Sequence, residues 1–520
     1  MTLADAIDTR FVSIAECVRG HAVDAPARLA LVDGRRRIDY GTLDRLMDRC
    51  AAALQRDGLV PGDSIAVCGA ASIEYAVVFL GALRAGVAVA PLAPGSTSAS
   101  LARMVADAGA KRVFVDAGTA DTFEPTAVRL DAGLDAWLAP AGAPPAPVDV
   151  QPEWPFNIIY SSGTTGEPKG IVQPHAMRWA HVRRGAAYGY GPGAVTLIAT
   201  PLYSNTTLVV LLPSLAFGGA VVLMPKFDAA AYLQLAQDSR ATHTMLVPVQ
   251  YQRLMAHPDF DRHDLSAFRL KFCTSAPFAA ALKADVLERW PGGLVEFYGM
   301  TEGGGTCILE AHAWPDKLHT VGRPAEGHDI RLVDDAGAEV ATGESGEVVG
   351  HSPGMMSGYH RQPAKTREAE WFDATGKRFI RTGDIGRFDA DGFLTLFDRK
   401  KDMIISGGFN IYPSDLEAQL REHEAVEDVA VVGVPSPRWG ETPVAFVVRK
   451  PASAAGAHEL LHWLNARVGR TQRLAALHLI DELPRSPIGK VLKRELRERH
   501  ATWGPDGAAS GQALDQPRHG

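Results

Sequence analysis

Residues 160–170, with the sequence YSSGTTGEPKG, combine the residue types that a triphosphate needs around it. Glycines let backbone N–H groups close around phosphate oxygens, hydroxyls donate further hydrogen bonds, and lysine supplies positive charge. The Walker pattern is absent from the sequence, because the Gly-Lys pairs at 376 and 489 lack the Ser or Thr that must follow. A surface turn is the alternative, but a run of this length favours a phosphate loop. The predicted contacts are Ser161, Ser162, Gly163, Thr164, Thr165, Gly166 and Lys169.

Alternating helix-like and strand-like patterns surround this loop. A helical spacing that starts at Thr42 ends before Gly58, a strand-like stretch follows at 64–70, and the alternation then repeats. A second series runs from about 195 to 300, so we expect parallel strands covered by helices. The segment 138–155 carries six prolines and is interpreted as a connection into the strand before the loop, with a domain boundary as the alternative.

The apolar stretch 206–224 approaches the length of a membrane span. Pro213 and the pair Gly218-Gly219 interrupt it, which predicts a buried helix, a glycine turn and a buried strand instead. Short strands and Gly-rich turns from about 300 to 398 indicate a β-rich subdomain. The charged run DRKKD at 398–402 then indicates a hinge, followed by an α+β pattern with strands near 426 and 444 and a helix near 457.

The composition excludes several classes of protein. With 520 residues, of which 46% are hydrophobic and 22% charged, the chain predicts more than one domain with a large core. A net charge of -7 gives no reason to expect nucleic acid or an anionic membrane as the main partner. Five widely spaced cysteines without a metal-type or redox-type pair favour a reducing compartment, and the start MTLADAIDTRF lacks a long apolar core. We therefore expect a cytoplasmic protein without an integral membrane segment.

Together with four further motifs, the loop at 160–170 resembles that of the adenylate-forming superfamily. This superfamily includes acyl- and aryl-CoA synthetases, plant 4-coumarate ligases, beetle luciferases and peptide-synthetase adenylation domains. The resemblance extends from about residue 10 to 500. Its further motifs are YGMTE at 298–302, TGDIG at 382–386, MIISGGFNIYPSDLE at 403–417 and PRSPIGKVLKREL at 484–496.

The resemblance implies that adenine and magnesium contacts lie in and beside YGMTE. Tyr298 would stack on adenine, Thr301 would bond a phosphate oxygen, and Glu302 would hold Mg²⁺, which suits one carboxylate plus phosphates. The segment TSAPF at 274–278 resembles a turn that borders the adenine. The other nucleotide contacts expected here are Ala276, Pro277, Glu296, Phe297, Gly299 and Met300.

The same resemblance implies ribose contacts before the hinge and a thiol tunnel after it. Asp384 would accept hydrogen bonds from both ribose hydroxyls and Arg399 would donate one, although an Asx turn is the alternative for Asp384. Lys401 would be the hinge. The predicted coenzyme A contacts are Gly407, Gly408, Phe409 and Trp439, and a domain-core tryptophan is the alternative for the last of these.

Lys490 would be the central catalytic residue. By resemblance, its ammonium would bridge the substrate carboxylate and the α-phosphate of ATP. The neighbouring cations Lys493, Arg494 and Arg497 are expected on a basic, solvated helix face instead.

The pocket for the carboxylic acid departs from the resemblance. Many aryl-CoA synthetases carry a histidine where this chain has Ser204, and an aromatic residue where it has Thr206. Three glycines, 303–305, also follow Glu302, so the sequence predicts an open pocket for an aliphatic or bulky acid. The predicted pocket residues are Ser204, Thr206, Val210, Gly299 and Gly303.

The sequence thus predicts an AMP-forming acyl-CoA synthetase that uses ATP, Mg²⁺, coenzyme A and a small-molecule carboxylic acid, with a homodimer left open. Its fold class would be α/β, with a large N-terminal domain of βα subdomains and a β-rich subdomain, and a small mobile α+β domain. The expected borders are 1–398 for adenylation, 399–402 for the hinge, 403–500 for the C-terminal domain and 501–520 for a disordered tail. An enzyme that loads a carrier-protein thiol, a luciferase-like oxygenase and a non-catalytic nucleotide sensor are the alternatives.

Overall fold

The computed structural model of the chain describes residues 9–123, 127–161, 169–400, 402–406, 409–437, 439–451, 453–469, 472–486 and 489–503. At Ala132, Ser161, Phe409 and Asn410 the description covers the backbone only.

The helices of the described residues follow one another in this order: α1 (Ile14–Asp24), α2 (Tyr40–Arg56), α3 (Ile73–Arg84), α4 (Ser98–Ala108), α5 (Ala132–Trp137), α6 (His175–Gly185), α7 (Asn205–Ala216), α8 (Ala229–Ser239), α9 (Pro248–Met255), α10 (Ala280–Arg289), α11 (Pro363–Glu368), α12 (Pro413–Arg421), α13 (Ala457–Asn465) and α14 (Lys493–Trp503).

The strands of the described residues are β1 (Leu29–Asp33), β2 (Arg36–Asp39), β3 (Ser64–Cys68), β4 (Ala88–Leu92), β5 (Arg112–Val115), β6 (Val128–Arg129), β7 (Pro155–Ser161), β8 (Lys169–Pro174), β9 (Val195–Ile198), β10 (Ala220–Leu223), β11 (His243–Leu246), β12 (Leu270–Cys273), β13 (Gly293–Gly299), β14 (Thr306–Glu310), β15 (Arg323–Pro324), β16 (Asp329–Val333), β17 (Ser345–His351), β18 (Gly358–Tyr359), β19 (Glu370–Phe372), β20 (Arg378–Phe388), β21 (Leu394–Arg399), β22 (Ile404–Ser406), β23 (Phe409–Ile411), β24 (Val426–Ser436), β25 (Gly440–Arg449) and β26 (Ala476–Leu479).

The chain divides into two compact units. The first unit holds the described residues up to Arg331, together with Val349–Thr382 and Gly392–Leu394. The second unit holds Leu332–Val348, Gly383–Asp391 and the described residues from Thr395 onward. The hinge residue predicted at 401 lies outside the described residues, so the borders predicted at 398 and 403 stay predictions.

Two sheets form the framework of the first unit. A nine-stranded sheet has the order β15-β14-β13-β12-β11-β9-β10-β1-β2, and its strands from β13 to β1 are parallel. A seven-stranded sheet has the order β18-β8-β7-β4-β3-β5-β6, with β4, β3, β5 and β6 parallel. The parallel strands confirm the expectation from the βα alternation. A further five-stranded sheet of β16, β17, β19, β20 and β21 supplies residues to both units.

Helices cover both faces of the nine-stranded sheet, because neighbouring residues of a strand point to opposite sides. In β1, Leu31 packs in a core shared with α1, α2 and α3, whereas Val32 packs in a core shared with α8 and α9. The stretch 206–224 supplies α7, a turn and β10, as predicted. Gly218 in that turn has a φ of 80°, and a Cβ there would lie 2.7 Å from Nη1 of Arg28. The segment 138–155 joins α5 to β7 within the first unit, so it is a connection.

The second unit contains an α+β arrangement after the predicted hinge. Its sheet has the order β23-β22-β25-β24, and β26 pairs with β25 in parallel. Helices α12 and α13 pack on one face through Leu416 and Leu460, and α14 packs on the other through Leu496. The strands expected near 426 and 444 and the helix expected near 457 are confirmed.

All five cysteines are buried free thiols. Burial raises the pKa of Cys17 and of Cys50 to about 12, so both thiols are protonated at neutral pH. Among the described helices, none combines the length and the apolar character that crossing a bilayer requires.

Candidate active site

The strands that flank the predicted phosphate loop form an antiparallel hairpin. Strand β7 pairs with β8 in a register that places Ser161 opposite Lys169. The backbone therefore brings the two ends of the loop together at one edge of the hairpin. The predicted contacts at Ser162, Gly163, Thr164, Thr165 and Gly166 lie outside the described residues, as does the side chain of Ser161.

Lys169 contacts Tyr359, and Tyr359 contacts Glu302. The Nζ atom of Lys169 is 5.3 Å from the centroid of the Tyr359 ring, and the Tyr359 hydroxyl donates to Oε1 of Glu302 at 2.9 Å. Burial and then the Glu302 charge raise the pKa of Tyr359 above its usual value, so the phenol remains a donor at neutral pH. The structure therefore joins the predicted phosphate lysine to the predicted metal ligand through a tyrosine of β18.

A buried polar network connects strand β8 to Thr301. The Nε2 atom of Gln173 donates to the carbonyl of Thr301 at 2.5 Å, and its Oε1 accepts from Nδ2 of Asn157 at 2.9 Å. Arg178 of α6 donates through Nε to Oδ1 of Asn157 at 3.1 Å and donates to Oε1 of Gln173 as well. Burial lowers the pKa of Arg178 to about 9, which leaves the guanidinium charged at neutral pH. The network fixes the backbone of Thr301 to the strand that follows the loop.

The YGMTE motif begins at the end of β13. Tyr298 lies opposite Cys307 in the antiparallel pair of β13 and β14, and Gly299 ends the strand. Met300 packs against a small apolar cluster that includes Ile171 of β8. The pairing of β13 with β14 and the packing of Met300 against Ile171 together hold the turn that carries Thr301 and Glu302.

Glu296, one of the predicted nucleotide contacts, forms a buried ion pair. Its carboxylate contacts Nζ of Lys283, and that ammonium also donates to the carbonyls of Leu318 at 2.8 Å and Thr320 at 3.0 Å. Burial raises the pKa of Glu296, and the Lys283 charge opposes the rise. The Glu296 side chain therefore belongs to the core, and only its backbone is left for the predicted contact.

The turn at 274–278 meets the start of helix α7. Ser275 has a φ of 84°, which is uncommon for a residue other than glycine. Its Oγ is 2.7 Å from Oγ1 of Thr206, and Thr274 donates to the carbonyl of Phe297 at 2.7 Å. A predicted pocket residue thus contacts the predicted adenine turn. The same turn carries the predicted contacts Ala276 and Pro277.

Ser204 serves as the cap of helix α7. Its Oγ accepts the backbone N–H of Thr206 at 3.3 Å, and the residue is buried. A serine at this position satisfies one of the free N–H groups at a helix start. The position at which many aryl-CoA synthetases carry a histidine therefore has a structural role in this chain.

Val210 and Phe297 line a cavity of about 210 Å³, solvent at its mouth included. The Phe297 ring stacks on Phe272 with centroids 5.5 Å apart, and Tyr188 lies edge-on to it at 6.0 Å. The guanidinium carbon of Arg184 is 5.0 Å from the centroid of the Phe297 ring. Phe297, predicted as a nucleotide contact, turns its side chain into this aromatic cavity.

The three glycines at 303–305 are closely packed. A Cβ at Gly303 would lie 2.3 Å from the carbonyl oxygen of Gly354, and one at Gly305 would lie 2.2 Å from Cδ1 of Ile330. Both glycines also have positive φ values, of 73° and 91°. The expectation that these glycines leave an open pocket is wrong, because neighbouring backbone and side chains fill the space that their missing side chains leave.

The two predicted ribose residues lie together in the second unit. Nε of Arg399 is 3.2 Å from Oδ1 of Asp384, and the two residues come from the neighbouring strands β21 and β20. This ion pair orients the Asp384 carboxylate. The role of both residues in binding ribose stays a prediction.

Two of the three basic residues of α14 that were expected on a solvated face, Lys493 and Arg497, form ion pairs instead. Nζ of Lys493 lies 3.5 Å from Oδ1 of Asp398 and 3.3 Å from Oε1 of Glu417, and the side chain is only 17% exposed. Arg497 is ion-paired as well. The expectation is wrong for Lys493, because acidic residues beside the hinge and on α12 face it, and it holds for Arg494, which is 70% exposed.

Lys490 lies shortly before α14, and its backbone is held by hydrogen bonds. Its backbone N–H donates to Oγ of Ser486 at 3.2 Å, and its carbonyl accepts the Ser486 N–H at 2.8 Å. Gly489 has a φ of 79°, and its carbonyl accepts a hydrogen bond from Arg485 at 2.7 Å. These hydrogen bonds tie the backbone of Lys490 to Ser486, while Lys490 itself is exposed. An exposed lysine with a fixed backbone suits the predicted role.

The structure describes only some of the predicted coenzyme A contacts. Trp439 is 42% exposed, so the alternative of a domain-core tryptophan is wrong. The backbone of Phe409 pairs with Ser406. The predicted contacts Gly407 and Gly408 and the predicted hinge Lys401 lie outside the described residues.

Glu302 fits a magnesium ion shared with phosphates. The described residues contain no cluster of three or more His, Cys, Asp or Glu side chains that could hold a metal by itself. Mg²⁺ is commonly held by one or two carboxylates, with substrate phosphates and waters completing the octahedron. A single carboxylate, oriented by Tyr359 and joined through it to Lys169, agrees with that chemistry.

Sequence reasoning missed Tyr359 and Arg178. Tyr359 is 57 residues from Glu302 along the chain, and no spacing rule links the two. Arg178 lies in a helix with other basic residues, of which Arg183 is exposed, and nothing in the sequence distinguishes the buried arginine from the exposed one. A pairing of β18 with β8 predicted in advance would have found the tyrosine.

Comparisons with known proteins agree with this arrangement. The family model described as AMP-binding enzyme matches residues 18–360, and the model described as AMP-binding enzyme C-terminal domain matches residues 415–490. A feruloyl-CoA synthase from Amycolatopsis sp is 35% identical over 487 residues, which cover 91% of this chain and 96% of the relative.

Two further relatives extend the comparison. A fatty acid–[acyl-carrier-protein] ligase, ScoC from Streptomyces coeruleorubidus, is 32% identical, with coverage of 93% of this chain and 95% of the relative. ATP-bound MatB from Rhodopseudomonas palustris superposes with a TM-score of 0.85 at 30% identity, covering 94% of this chain and 99% of MatB. The chain belongs to the AMP-binding enzyme family, as an AMP-forming acid–thiol ligase of the adenylate-forming superfamily that its motifs indicated.

Proposed function

We propose that this chain is an ATP-dependent carboxylate–CoA ligase that works in two steps. In the first, a carboxylate oxygen attacks the α-phosphorus of ATP, the bond from that phosphorus to pyrophosphate breaks, and an acyl adenylate forms. In the second, the thiol sulfur of coenzyme A attacks the acyl carbon, the thiol proton is lost, and AMP leaves. The observation that carries the proposal is the contact chain from Lys169 through Tyr359 to Glu302.

In this proposal the first unit binds the triphosphate. Lys169 supports the leaving pyrophosphate, Thr301 donates its hydroxyl to a phosphate oxygen, and Tyr298 stacks on adenine. Glu302 would hold Mg²⁺, which supplies positive charge to the phosphates when bound. Tyr359 keeps the Glu302 carboxylate in one orientation through its 2.9 Å hydrogen bond. These residues act by positioning and charge, and no covalent nucleophile from the protein is needed.

The second unit would serve the two steps in turn. Lys490 offsets the charge that builds as the carboxylate attacks phosphorus, and Asp384 with Arg399 binds ribose. Rotation about Lys401 would then remove Lys490 and present the coenzyme A contacts, of which Trp439 is exposed.

The acid would be an aryl or bulky aliphatic carboxylate. The aromatic rings around the cavity at Val210 favour an aryl acid over a fatty acid, because a long flexible chain gains nothing from stacking. The similarity to a feruloyl-CoA synthase supports the same preference. Buried free thiols suit a reducing compartment, and we place the enzyme in the cytoplasm.

Lys490→Ala tests the division of labour. We expect this variant to lose adenylate formation, measured as ATP–pyrophosphate exchange, by at least ~10³-fold while it still converts a synthetic acyl adenylate to thioester. Arg494→Ala is the matched control, because Arg494 is a mostly exposed cation of the same segment, and both half-reactions should stay unchanged. Equal loss of both half-reactions in Lys490→Ala would contradict the proposal.

A ligase that loads a carrier-protein thiol is the second candidate, and the similarity to ScoC favours it. The two candidates share the adenylate and differ in the thiol. Incubating the enzyme with ATP and an accepted acid, and then adding either coenzyme A or a phosphopantetheinylated carrier protein, separates them. Thioester on coenzyme A supports the proposal, and thioester on the carrier alone overturns it.

A further inference from the structure

The turn after β12 contains backbone strain beside the candidate nucleotide site. Among the residues that the structure describes, three other than glycine have a positive φ: Arg240, Ser275 and Arg361. Arg240 and Arg361, at 49° and 52°, lie near the left-handed helical region, and Arg240 ends helix α8 in that conformation. Ser275, at 84°, lies beyond that region. A residue with a side chain keeps such a conformation only where its surroundings hold it there.

Two hydroxyl hydrogen bonds hold this turn. The Oγ atom of Ser275 lies 2.7 Å from Oγ1 of Thr206, in the first turn of α7. The preceding residue, Thr274, donates its hydroxyl to the carbonyl of Phe297 at 2.7 Å. Phe297 directly precedes Tyr298, which the proposed function stacks on adenine. The turn therefore joins the start of α7 to the strand that carries the candidate adenine contact.

Thr206 is a fixed support for the strained serine. It is only 5% exposed, and its backbone N–H donates to Oγ of Ser204 at 3.3 Å. The helix start thus determines where the Thr206 hydroxyl lies. Because this hydroxyl is bonded to Ser275, the residue predicted to line the acid pocket holds the neighbouring turn instead.

The same turn has backbone donors that the protein leaves open. The N–H groups of Ser275 and Ala276 meet no acceptor within the described part of the chain, and both residues are partly exposed. Water or a ligand must therefore accept these hydrogen bonds. Pro277 follows directly and restricts the backbone of Ala276 to extended conformations. Strain at one residue and proline at the next limit the conformations of two open donors.

We propose that Ser275 and Thr206 are positioning residues of the nucleotide site, whose hydroxyl pair holds the strained turn in place before ATP binds. Without the pair, the backbone of Ser275 relaxes, and binding of ATP must order the turn again at a cost in affinity. Neither side chain touches the reacting atoms in this role. The inference rests on the proposed function, which places adenine beside Tyr298.

Removing either hydroxyl tests the proposal. Ser275→Ala deletes one hydroxyl and keeps Cβ, and Thr206→Val deletes the other at nearly constant volume. Calorimetric titration with Mg-ATP, in the absence of any acid, measures Kd. We expect each variant to raise Kd about 10-fold, and the double variant to raise it no further, because both residues act through one hydrogen bond. A rise of about 100-fold in the double variant would show independent roles and overturn the inference.

The same helix offers a matched control pair. Oγ1 of Thr196 and Oγ of Ser214 on α7 are also 2.7 Å apart, and neither residue has a positive φ. Thr196→Val should lower the melting temperature and leave Kd for ATP unchanged, whereas Thr206→Ser, which keeps the hydroxyl, should bind ATP like the parent. Equal weakening of ATP binding by Thr196→Val and Thr206→Val would reduce the effect to lost stability and overturn the inference.

Ser275→Gly separates positioning from strain. Glycine adopts a φ of 84° freely, so this variant should melt at a higher temperature than Ser275→Ala, and it serves in its place if Ser275→Ala does not fold. We still expect Kd for ATP to rise about 10-fold, because the bond to Thr206 is lost. Parental affinity in Ser275→Gly would overturn the inference. The expected affinities without AMP release from any acid would instead count against the proposed ligase chemistry alone.

Discussion

Arg178 and Arg184 both belong to helix α6, and they carry the same charge into two different environments. Arg178 is 2% exposed, and side-chain oxygens of Asn157 and Gln173 accept its hydrogen bonds. Arg184 is half-buried and faces the ring of Phe297 at the wall of a cavity. Neither is paired with a carboxylate among the described residues.

The difference lies in what solvates each guanidinium. Amide oxygens at 3.1 Å and closer replace water around Arg178, so its burial is compensated within the protein. An aromatic face supplies only a weak attraction to Arg184, on the order of 1 kcal/mol. A buried cation whose donors meet oxygen acceptors is compensated within the protein, whereas the desolvation of one that faces only aromatic rings stays largely uncompensated.

The largest effect that tests this comparison is expected at Arg178. Arg178→Met should lower the free energy of unfolding by about 3 kcal/mol, because it leaves the buried Oδ1 of Asn157 without its donor and takes one donor away from the buried Oε1 of Gln173. Urea unfolding followed by circular dichroism measures the change. Arg184→Met is the matched control on the same helix, and equal losses in the two variants would remove the distinction between the arginines.

A smaller effect is expected at Gln173, which connects the buried polar network around Arg178 to the backbone of Thr301 in the candidate site. Gln173→Met should reduce kcat/KM for ATP about 10-fold, because the Thr301 carbonyl loses its 2.5 Å hydrogen bond and the turn after it loosens. Steady-state AMP release at varied ATP measures this. Gln234→Met, at an exposed position of α8, serves as the control. Unchanged ATP kinetics in Gln173→Met would restrict the network to a role in stability.

Local sequence patterns were enough to predict those helices, turns and strands whose conformation depends on the residues within the same short stretch of chain. The stretch 206–224 is a helix, a turn and a strand, because its apolar run is broken by Gly218 at a turn with positive φ. The strands and helix after residue 420 followed from the same kind of periodicity. In each case the information lies within about 20 residues of sequence.

The candidate site was predicted in part for the same reason. Asp384 and Arg399 could be paired in advance by their motifs, and they form an ion pair. Contacts between distant segments could not be predicted: Tyr359 reaches Glu302 only because β18 pairs with β8. The sequence also cannot tell a solvated lysine from one such as Lys493, whose partners come from other segments.

The glycines at 303–305 show the limit in another way. A run of glycines is compatible both with open space and with tight packing, because a missing side chain permits either. Here the carbonyl of Gly354 and the side chain of Ile330 approach to distances that no Cβ would allow. Only the position of the neighbouring chain decides between the two cases.

The smallest effect is expected from Arg184→Met on stability, and it depends on pH. Removing a partly desolvated cation without a counterion should raise the free energy of unfolding by about 1 kcal/mol at pH 7.5.

Burial and then the Arg184 charge hold the pKa of His328 at about 4, so the folded protein keeps this imidazole neutral below pH 6.5 while the unfolded chain protonates it. Because the unfolded state then binds more protons, this histidine costs stability as the pH falls from about 6.5 to 4. Without Arg184 the pKa of folded His328 should rise, and the cost should shrink. The advantage of Arg184→Met over the parent should therefore grow between pH 7.5 and pH 5 in thermal unfolding, with Arg183→Met parallel to the parent. If the advantage of Arg184→Met stays constant or shrinks as the pH is lowered from 7.5 to 5, a counterion already compensates Arg184 in the unliganded protein.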